Sequence, residues 1–316
     1  MKTSKKNSEK QIIFVSGAAG LVGQNLIPRL KKSFDIIAVD KHPHNSEVLQ
    51  RLHPEIKVMQ ADISTSGDWE KALRGSDYAI MLHAQIGGLN EAEFIANNIT
   101  ATENMLRVMT DMNMKYFVHV SSSVINSMAD DFYTQTKTQQ ERLVGLSAIP
   151  HVVLRPTLMF GWFDRKHLGW LRRFMESVLV FPIPGNGKYL RQPLYAGDFA
   201  KIISSCINKY IEGSYNISGR ESINYIDLIV EIKKTVDAKA IILKIPYSVF
   251  WFLLKVYAVF DRNPPFTTSQ LKALATPDVF EVIDWPEIFG ISETPLNQAL
   301  GDTFLHPEYS KILLEF

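Results

Sequence analysis

Short apolar runs rich in β-branched residues alternate along this chain with longer stretches whose apolar positions recur at helical spacing. Ile12–Val15, Ile36–Val39, Ile56–Met59, Tyr78–Leu82, Tyr116–Val120 and His151–Leu154 are apolar without strict alternation, as strands buried on both faces are. Leu21–Leu30 and Glu91–Asn113 lie between them. In the second, Phe94, Ile95, Met105, Leu106, Met109 and Met112 keep roughly helical spacing, which makes one helix face apolar. This alternation predicts an α/β fold, a doubly wound parallel sheet covered by helices on both faces. Past Arg155 the pattern changes: Pro156, Gly161, Pro182, Pro184, Gly185 and Gly187 punctuate the chain and strands thin out. We therefore expect residues 1–10, polar and lysine-rich, to be a flexible tail and residues 11–156 to form the sheet domain. Residues 157–316 are expected to form mainly a smaller lobe. Segments around 190–220 should return to the sheet domain, with Ser214–Ile217 as a strand.

The 316 residues include 34 basic and 33 acidic side chains, a formal net charge of +1. No global field favours nucleic acid, which is not expected as a partner. Apolar residues at 46% and charged residues at 21% are ordinary globular usage and argue against disorder. The single cysteine, Cys206, excludes an intrachain disulfide framework and a multi-cysteine metal site; no metal is expected, and a cytoplasmic location is. Lys2, Lys5, Lys6 and Lys10 precede the apolar run from Ile12, an arrangement similar to a secretion signal. Gly17, Gly20 and Gly23 interrupt that run, and no small-residue cleavage site follows. Pro246–Phe260 is dense in aromatic and aliphatic residues, but it contains Lys255 and is shorter than the roughly 20 apolar residues of a spanning helix. Two readings stay open for it: a buried helix of the lobe, or an apolar wall for a lipid-linked substrate or weak membrane contact.

The first strand runs directly into Gly17-Ala-Ala-Gly20-Leu-Val-Gly23 and a helical pattern. At such a junction one glycine makes the tight turn, a second lets the backbone approach a pyrophosphate, and a third packs helix on sheet. The helix N-terminus then presents N–H groups to phosphates. Gly17, Ala19, Gly20, Leu21, Val22 and Gly23 are therefore expected to cradle a dinucleotide. Asp40, ending the second strand, suits both ribose hydroxyls and repels a 2′-phosphate, which favours NAD over NADP; Lys41 and His42 soften that exclusion. Asp62 and Ile63 suit an adenine edge, and His83-Ala84 closes the fourth strand where a small residue lets the cofactor pass.

Tyr133 and Lys137 stand four apart, on one helix face. A free phenol titrates near about 10, too high for a base at neutral pH. A neighbouring ammonium and an oxidised nicotinamide both favour the phenolate. Ser122, just past the fifth strand, is placed to hydrogen-bond the same substrate oxygen. The set suits removal of a hydroxyl proton as hydride leaves the carbon.

Gly17/Gly20/Gly23, Asp40, Asp62-Ile63, His83-Ala84, Ser121-Ser122-Ser123, Tyr133/Lys137 and Leu154-Arg155-Pro156 together resemble the extended short-chain dehydrogenase/reductase superfamily. More narrowly, about residues 11–220 resemble its NAD-dependent epimerase/dehydratase family. The resemblance implies a Rossmann-like domain holding NAD, a substrate drawn largely from nucleotide sugars, and a homodimer packed through helices 91–113 and 133–147. It implies Tyr133 as general base, Lys137 on the nicotinamide ribose and lowering the tyrosine pKa, and Ser122 orienting the substrate oxygen. Ser122–Ser127 fits the family's Ser-x-x-x-Tyr-Gly spacing, with Asn126-Ser127 in place of Tyr-Gly; Ser123 is the open alternative. Asn98 matches the asparagine that helps set the active-site helix, and Ser121 and Pro156 fall among the cofactor's neighbours.

On the substrate side the resemblance points to Gln85 and Gly87 in a glycine-containing loop, and to Ser123. His167 reads either as an acid/base histidine or as a surface cap, and Arg191 either as a diphosphate grip or as an ion-pair partner. Asp198 reads as structural, capping a helix at Phe199–Asn208. The chain departs from the family pattern in a short stretch from Ser123 to Tyr133, and in Ser123-Val124 where sugar 4,6-dehydratases carry Asp-Glu. The implied activity is that of an NAD-dependent epimerase or oxidoreductase on a hydroxyl or keto group of a nucleotide-diphospho-sugar, rather than a 4,6-dehydratase. The rivals are a hydroxysteroid- or lipid-type alcohol dehydrogenase of the same superfamily and a non-catalytic NAD-binding subunit.

Overall fold

The computed structural model describes residues 10–126, 131–260 and 280–315, with residues 268 and 271. Most of the expected tail, and Ser127, lie outside the described residues. In chain order the elements are β1 (Ile12–Ser16), α1 (Leu21–Leu30), β2 (Asp35–Asp40), α2 (Pro43–Leu52), β3 (Lys57–Gln60), α3 (Asp68–Arg74) and β4 (Tyr78–Met81). Then come α4 (Glu91–Phe94), a π-helical stretch Ile95–Thr100, α5 (Ala101–Asp111), β5 (Tyr116–Val120), α6 (Phe132–Gly145) and β6 (His151–Pro156). The remainder holds β7 (Met159–Phe160), α7 (Leu168–Ser177), β8 (Val180–Pro184), β9 (Leu190–Arg191), β10 (Leu194–Tyr195), α8 (Ala196–Lys209) and β11 (Gly213–Ile217). It continues with β12 (Ile223–Asn224), α9 (Tyr225–Thr235), β13 (Ile241–Ile245), α10 (Tyr247–Phe260), α11 (Trp285–Phe289) and α12 (Leu296–Leu305).

Seven strands form one sheet in the order β11-β6-β5-β4-β1-β2-β3, and every neighbouring pair is parallel. All positions of β4 and β5 are buried, which is why those runs are apolar without alternation. Successive residues of β1 still face opposite ways. Ile13 and Val15 join Leu26, Ile203 and Cys206 under α1 and α8, whereas Phe14 packs among Trp69, Met105 and Met109 on the other face. From β1 the chain builds outward through β2 and β3, then returns to place β4 on β1's other side. That reversal opens a crevice at the carboxyl ends of β1 and β4, the place where such sheets bind ligands.

The expected single helix at 91–113 is interrupted by the π-helical stretch, which carries buried Asn98; π turns recur at functional sites. Outside the seven-stranded sheet are three two-stranded pairs, β7–β10, β8–β13 and β9–β12, and a further cluster that includes Phe160, Phe181, Ile229, Leu300 and Phe304. Trp285 and Phe289 of α11 enter the main core, and Trp285 Nε1 donates to the Ser218 carbonyl at 3.0 Å. Asp198 is structural but does not cap α8, which starts at Ala196. Its carboxylate accepts from Thr294 N at 2.8 Å and Thr294 Oγ1 at 2.6 Å, and pairs with Lys201 at 2.7 Å. α8 is thereby tied to the C-terminal segment. Nor is α10 a buried helix: Tyr247, Val249, Trp251, Phe252, Leu253 and Val256 are exposed, while Phe250 and Leu254, one turn apart, are half-buried. Among the described residues no helix is long and apolar enough to cross a membrane.

Two histidines are sealed inside the sheet domain. Burial holds His83 down at about 3 and His119 well below the usual imidazole range, with Lys137's charge adding to both. Both are neutral when folded, whereas an unfolded histidine protonates near about pH 6.5. Unfolding therefore takes up protons below that pH, and stability falls on acidification. Among the described residues neither ring nitrogen of His119 finds a partner. His119→Leu should raise stability near neutrality by about 1 kcal/mol and flatten the acid-side loss by about 1.4 kcal/mol per pH unit. Urea unfolding followed from pH 5 to pH 8 checks both.

Candidate active site

At the end of β1 the chain turns through Gly17 at φ +66°, which an L side chain rarely adopts. A Cβ on Gly17 would lie 2.7 Å from the His83 backbone nitrogen, and one on Gly23 would lie 2.1 Å from the Ala18 oxygen. Those two glycines let loop, helix and β4 touch. Gly20 differs: its backbone is extended, and the nearest atom to an added Cβ is the Gly17 oxygen at 3.5 Å. The space before it is therefore clear of protein, and α1's first N–H groups, which have no intrahelical acceptor, open onto it.

Asp40 ends β2 with its oxygens on the Ala19 and His42 N–H groups, each at 2.9 Å. It anchors the glycine loop and retains lone pairs for ribose hydroxyls. Burial pushes its carboxyl up, partly offset by those two bonds and by Lys41 and His42. Asp62 accepts from Ser64 N at 2.8 Å and Ser64 Oγ at 2.6 Å. Burial pushes it up, but these bonds and Lys41 outweigh that, and its carboxyl lies below the usual range. Ile63 is buried and its carbonyl receives Asn104 at 3.1 Å. Ser121 and Thr157, just past β5 and β6, carry buried hydroxyls with no partner among the described residues. An open glycine loop, an acid at β2 and two orphaned hydroxyls at the sheet's carboxyl edge fit a dinucleotide laid across the crevice. Pro156 closes β6 opposite Ile217, and Ala84 follows His83 on the loop past β4.

The catalytic candidates converge. Tyr133, in the first turn of α6, hydrogen-bonds Ser122, so the serine beside it is Ser122; Ser123 opens the short 3-10 turn Ser123–Asn126. Asn98 accepts from Gln85 N at 2.6 Å, and its Nδ2 donates to the Gln85 carbonyl at 3.2 Å and to Thr136 Oγ1 at 2.9 Å. It thus clamps the loop after β4 onto α6. Gln85 also receives Asn97 Nδ2 at 2.9 Å and donates to the Gly87 carbonyl. Lys137 is fully buried; its Nζ donates to the Val120 carbonyl at 3.0 Å and to Gln140 Oε1. Burial pushes it down to about 7, opposed by Glu141.

The influences on the phenol here are burial, Ser122 and Asp131, with Lys137 not among them. Burial raises Tyr133 above the ordinary tyrosine value; the Ser122 bond pulls it down, and Asp131 opposes ionisation. The amine is drawn to β5 and Gln140 instead, so the protein's own charges leave the phenol protonated at neutral pH.

Gln140, Thr102, Thr136 and the Glu141–Arg155 pair went unrecognised in the sequence. Arg155 Nε lies 3.0 and 3.2 Å from the two Glu141 oxygens. Gln140 and Glu141 follow Lys137 by three and four residues on α6, the spacing that puts side chains on one face; only that spacing signalled them. His167 and Arg191 lie outside the seven-stranded sheet. His167 precedes α7, exposed, with its N–H on Asp164 at 2.9 Å. Arg191 lies half-buried on β9, with Nη1 on the Leu190 carbonyl at 2.7 Å.

Gly20 separates binding from folding. Gly20→Ala meets no close neighbour, so its thermal midpoint should stay within about 2 °C of the parent. Its Cβ fills the path of a pyrophosphate, so NAD affinity by calorimetry should weaken at least about tenfold. Unchanged affinity would rule out phosphate approach at this loop.

Among known proteins, the NAD dependent epimerase/dehydratase family matches residues 13–218. No curated protein matches the chain. A UDP-glucuronic acid 4-epimerase from Bacillus cereus, solved with NAD, is 24% identical over 75% of this chain and 86% of that one, with a TM-score of 0.65. The Bordetella bronchiseptica enzyme WbmG, also solved with NAD, is 15% identical over 95% of both chains, with a TM-score of 0.73. A UDP-N-acetylglucosamine 4-epimerase from Methanobrevibacter ruminantium is 17% identical over 93% of this chain and 97% of that one, with a TM-score of 0.70. These structures share the fold. The family match runs from the glycine loop's strand to β11 without a break, and the chain belongs to the NAD dependent epimerase/dehydratase family.

Proposed function

We propose that the protein is an NAD-dependent epimerase that oxidises a hydroxyl of a nucleotide-diphospho-sugar to a ketone and re-reduces it from the other face. The observation that carries this reading is the Tyr133–Ser122 hydroxyl pair, set beside buried Lys137 at the carboxyl edge of the crevice. The names of the similar structures, two of them 4-epimerases of UDP-sugars, support the substrate class. NAD, when bound, accepts and returns the hydride and brings a positive ring that favours the phenolate. Tyr133 Oη takes the substrate's hydroxyl proton, and Ser122 Oγ holds the same oxygen through its hydrogen bond. Lys137 offers an N–H to the nicotinamide ribose, and Arg191 grips the diphosphate by its guanidinium fork. Ser123-Val124 supplies no carboxylates, so elimination of water, as in a 4,6-dehydratase, lacks its acid and base. The homodimer belongs to the same reading, supported by exposed Ile95, Phe132 and Leu146 on the two helices concerned.

The exposed face of α10 fits an anionic lipid surface. Within α10 Lys255 is the one charged side chain, its Nζ 5.2 Å from the Trp251 ring centroid; Lys244 precedes the helix, and Lys239 is paired with Asp237 at 2.8 Å. Exposed apolar side chains with a lysine among them suit an interfacial helix. Co-sedimentation with phosphatidylglycerol vesicles, absent with phosphatidylcholine and lost in Phe252→Glu, is expected. A salt-insensitive dimer broken by the same variant would instead mark a contact between copies.

Tyr133→Phe should bind NAD as the parent does and lose about 10²–10⁴-fold in turnover of UDP- or GDP-sugars, measured by chromatography of the sugar products. Undiminished turnover, or turnover of sterol-like alcohols alone, would overturn the reading.

A further inference from the structure

Behind the Tyr133–Ser122 pair lies a buried glutamine that the proposed chemistry does not use. Gln140 is fully buried on α6. An ammonium only donates, so Gln140 turns Oε1 to Lys137 Nζ. Its Nε2 then donates to Thr102 Oγ1 at 2.8 Å. Thr102 gives its own proton to the Asn98 carbonyl at 2.8 Å, and so accepts from His83 Nε2 at 3.0 Å. His83 therefore carries its proton on Nε2, and its Nδ1 accepts from Ser16 Oγ at 2.7 Å. With Thr102's proton turned onto the Asn98 carbonyl, the other tautomer would set lone pair against lone pair across the 3.0 Å contact with Thr102. Gln140 Nε2 also lies 3.3 Å from His83 Nε2; with both atoms donors, this is a contact rather than a bond.

One proton arrangement thus runs from β1 through β4, α5 and α6 to the ammonium. Lys137 gives a second proton to the Val120 carbonyl, which leaves one of its three N–H donors without an acceptor among the described residues. We propose that Gln140 is a positioning residue for Lys137: it holds the ammonium against β5, leaves its remaining N–H for the nicotinamide ribose, and links it through Thr102 to His83 just past β4. The ribose part rests on the function proposed above. The ionisable groups around Lys137 are neutral His83 and His119, Glu141 with its partner Arg155, and Tyr133 one turn earlier. Burial opposes the charge, and the Gln140 oxygen, bonded to Nζ, favours it.

Lysine 13Cε NMR of the full chain without nucleotide, assigned with Lys137→Met, reads the ammonium directly. Gln140→Met should shift the Lys137 midpoint down by about one pH unit, and Gln140→Glu should shift it up by about as much. Gln140→Asn, which withdraws the oxygen by one methylene, should shift it down if the Met variant does not fold. The alkaline limb of kcat should move in the same directions with KM little changed, and Gln140→Glu should recover activity lost in Gln140→Met. Midpoints that stay in place, or that move the same way in the Met and Glu variants, overturn the positioning role. Sugar turnover with unmoved midpoints sinks that role alone. Moved midpoints with no turnover of any nucleotide-sugar by the parent chain uphold it and sink the proposed function.

Discussion

An ammonium enclosed in the interior constrains this structure more than any other single group. Lys137 is fully buried between α6 and β5, where burial lowers it to about 7, a penalty on the charged form on the order of 5 kcal/mol. Buried charge survives only with partners in good geometry. The partners come from a strand carbonyl and a glutamine amide, and that amide is fixed in turn by a threonine that a histidine also holds. The five elements around the crevice are consequently held in one register by polar atoms, and a small displacement of any of them leaves a donor unsatisfied.

The same interior sets the protein's response to pH. His83 has work to do in that network, and its neutrality lets it donate on one side and accept on the other. His119 has no such partner among the described residues and is a net cost of placing imidazole in the centre of a parallel sheet. Buried Asp198 and Trp285 bind the C-terminal segment back onto α8 and the residue after β11. Detaching that segment would expose a large indole.

Legibility differed sharply between the halves of the chain. The inner strands of the sheet were recognisable as apolar runs, since a central parallel strand buries both faces, whereas the edge strands β3 and β11 carry exposed polar positions such as Lys57 and Ser214; most ends moved by one or two residues, as terminal pairs depend on the neighbour. The glycine loop was equally readable, because its spacing is dictated by backbone collisions that involve Gly17 and Gly23. The two-residue strands β7, β9, β10 and β12 were not. Each exists only because a distant segment supplies its partner, and a pair of residues has no period to detect. The π-helical stretch at Asn98 and the exposure of α10 were also hidden, the latter because an apolar helix reads alike whether it is covered or bare.

Within the site, residue type and spacing alone marked Tyr133, Lys137, Ser122 and Asp40 as reactive or ligand-facing groups, for a phenol, an amine and a carboxylate at those intervals have few structural reasons to coincide. What spacing could not supply was the electrostatics. Lys137 was expected beside the phenol as its acidifier, and the folded chain gives the amine to Val120 and Gln140 instead. The sequence by itself determined which chemical groups are present and which secondary elements carry them, because those follow from local periodicity and covalent order. Only the tertiary structure decided which atoms meet and how deeply each is buried, since charge states depend on desolvation and on acceptors contributed by segments far apart in the chain.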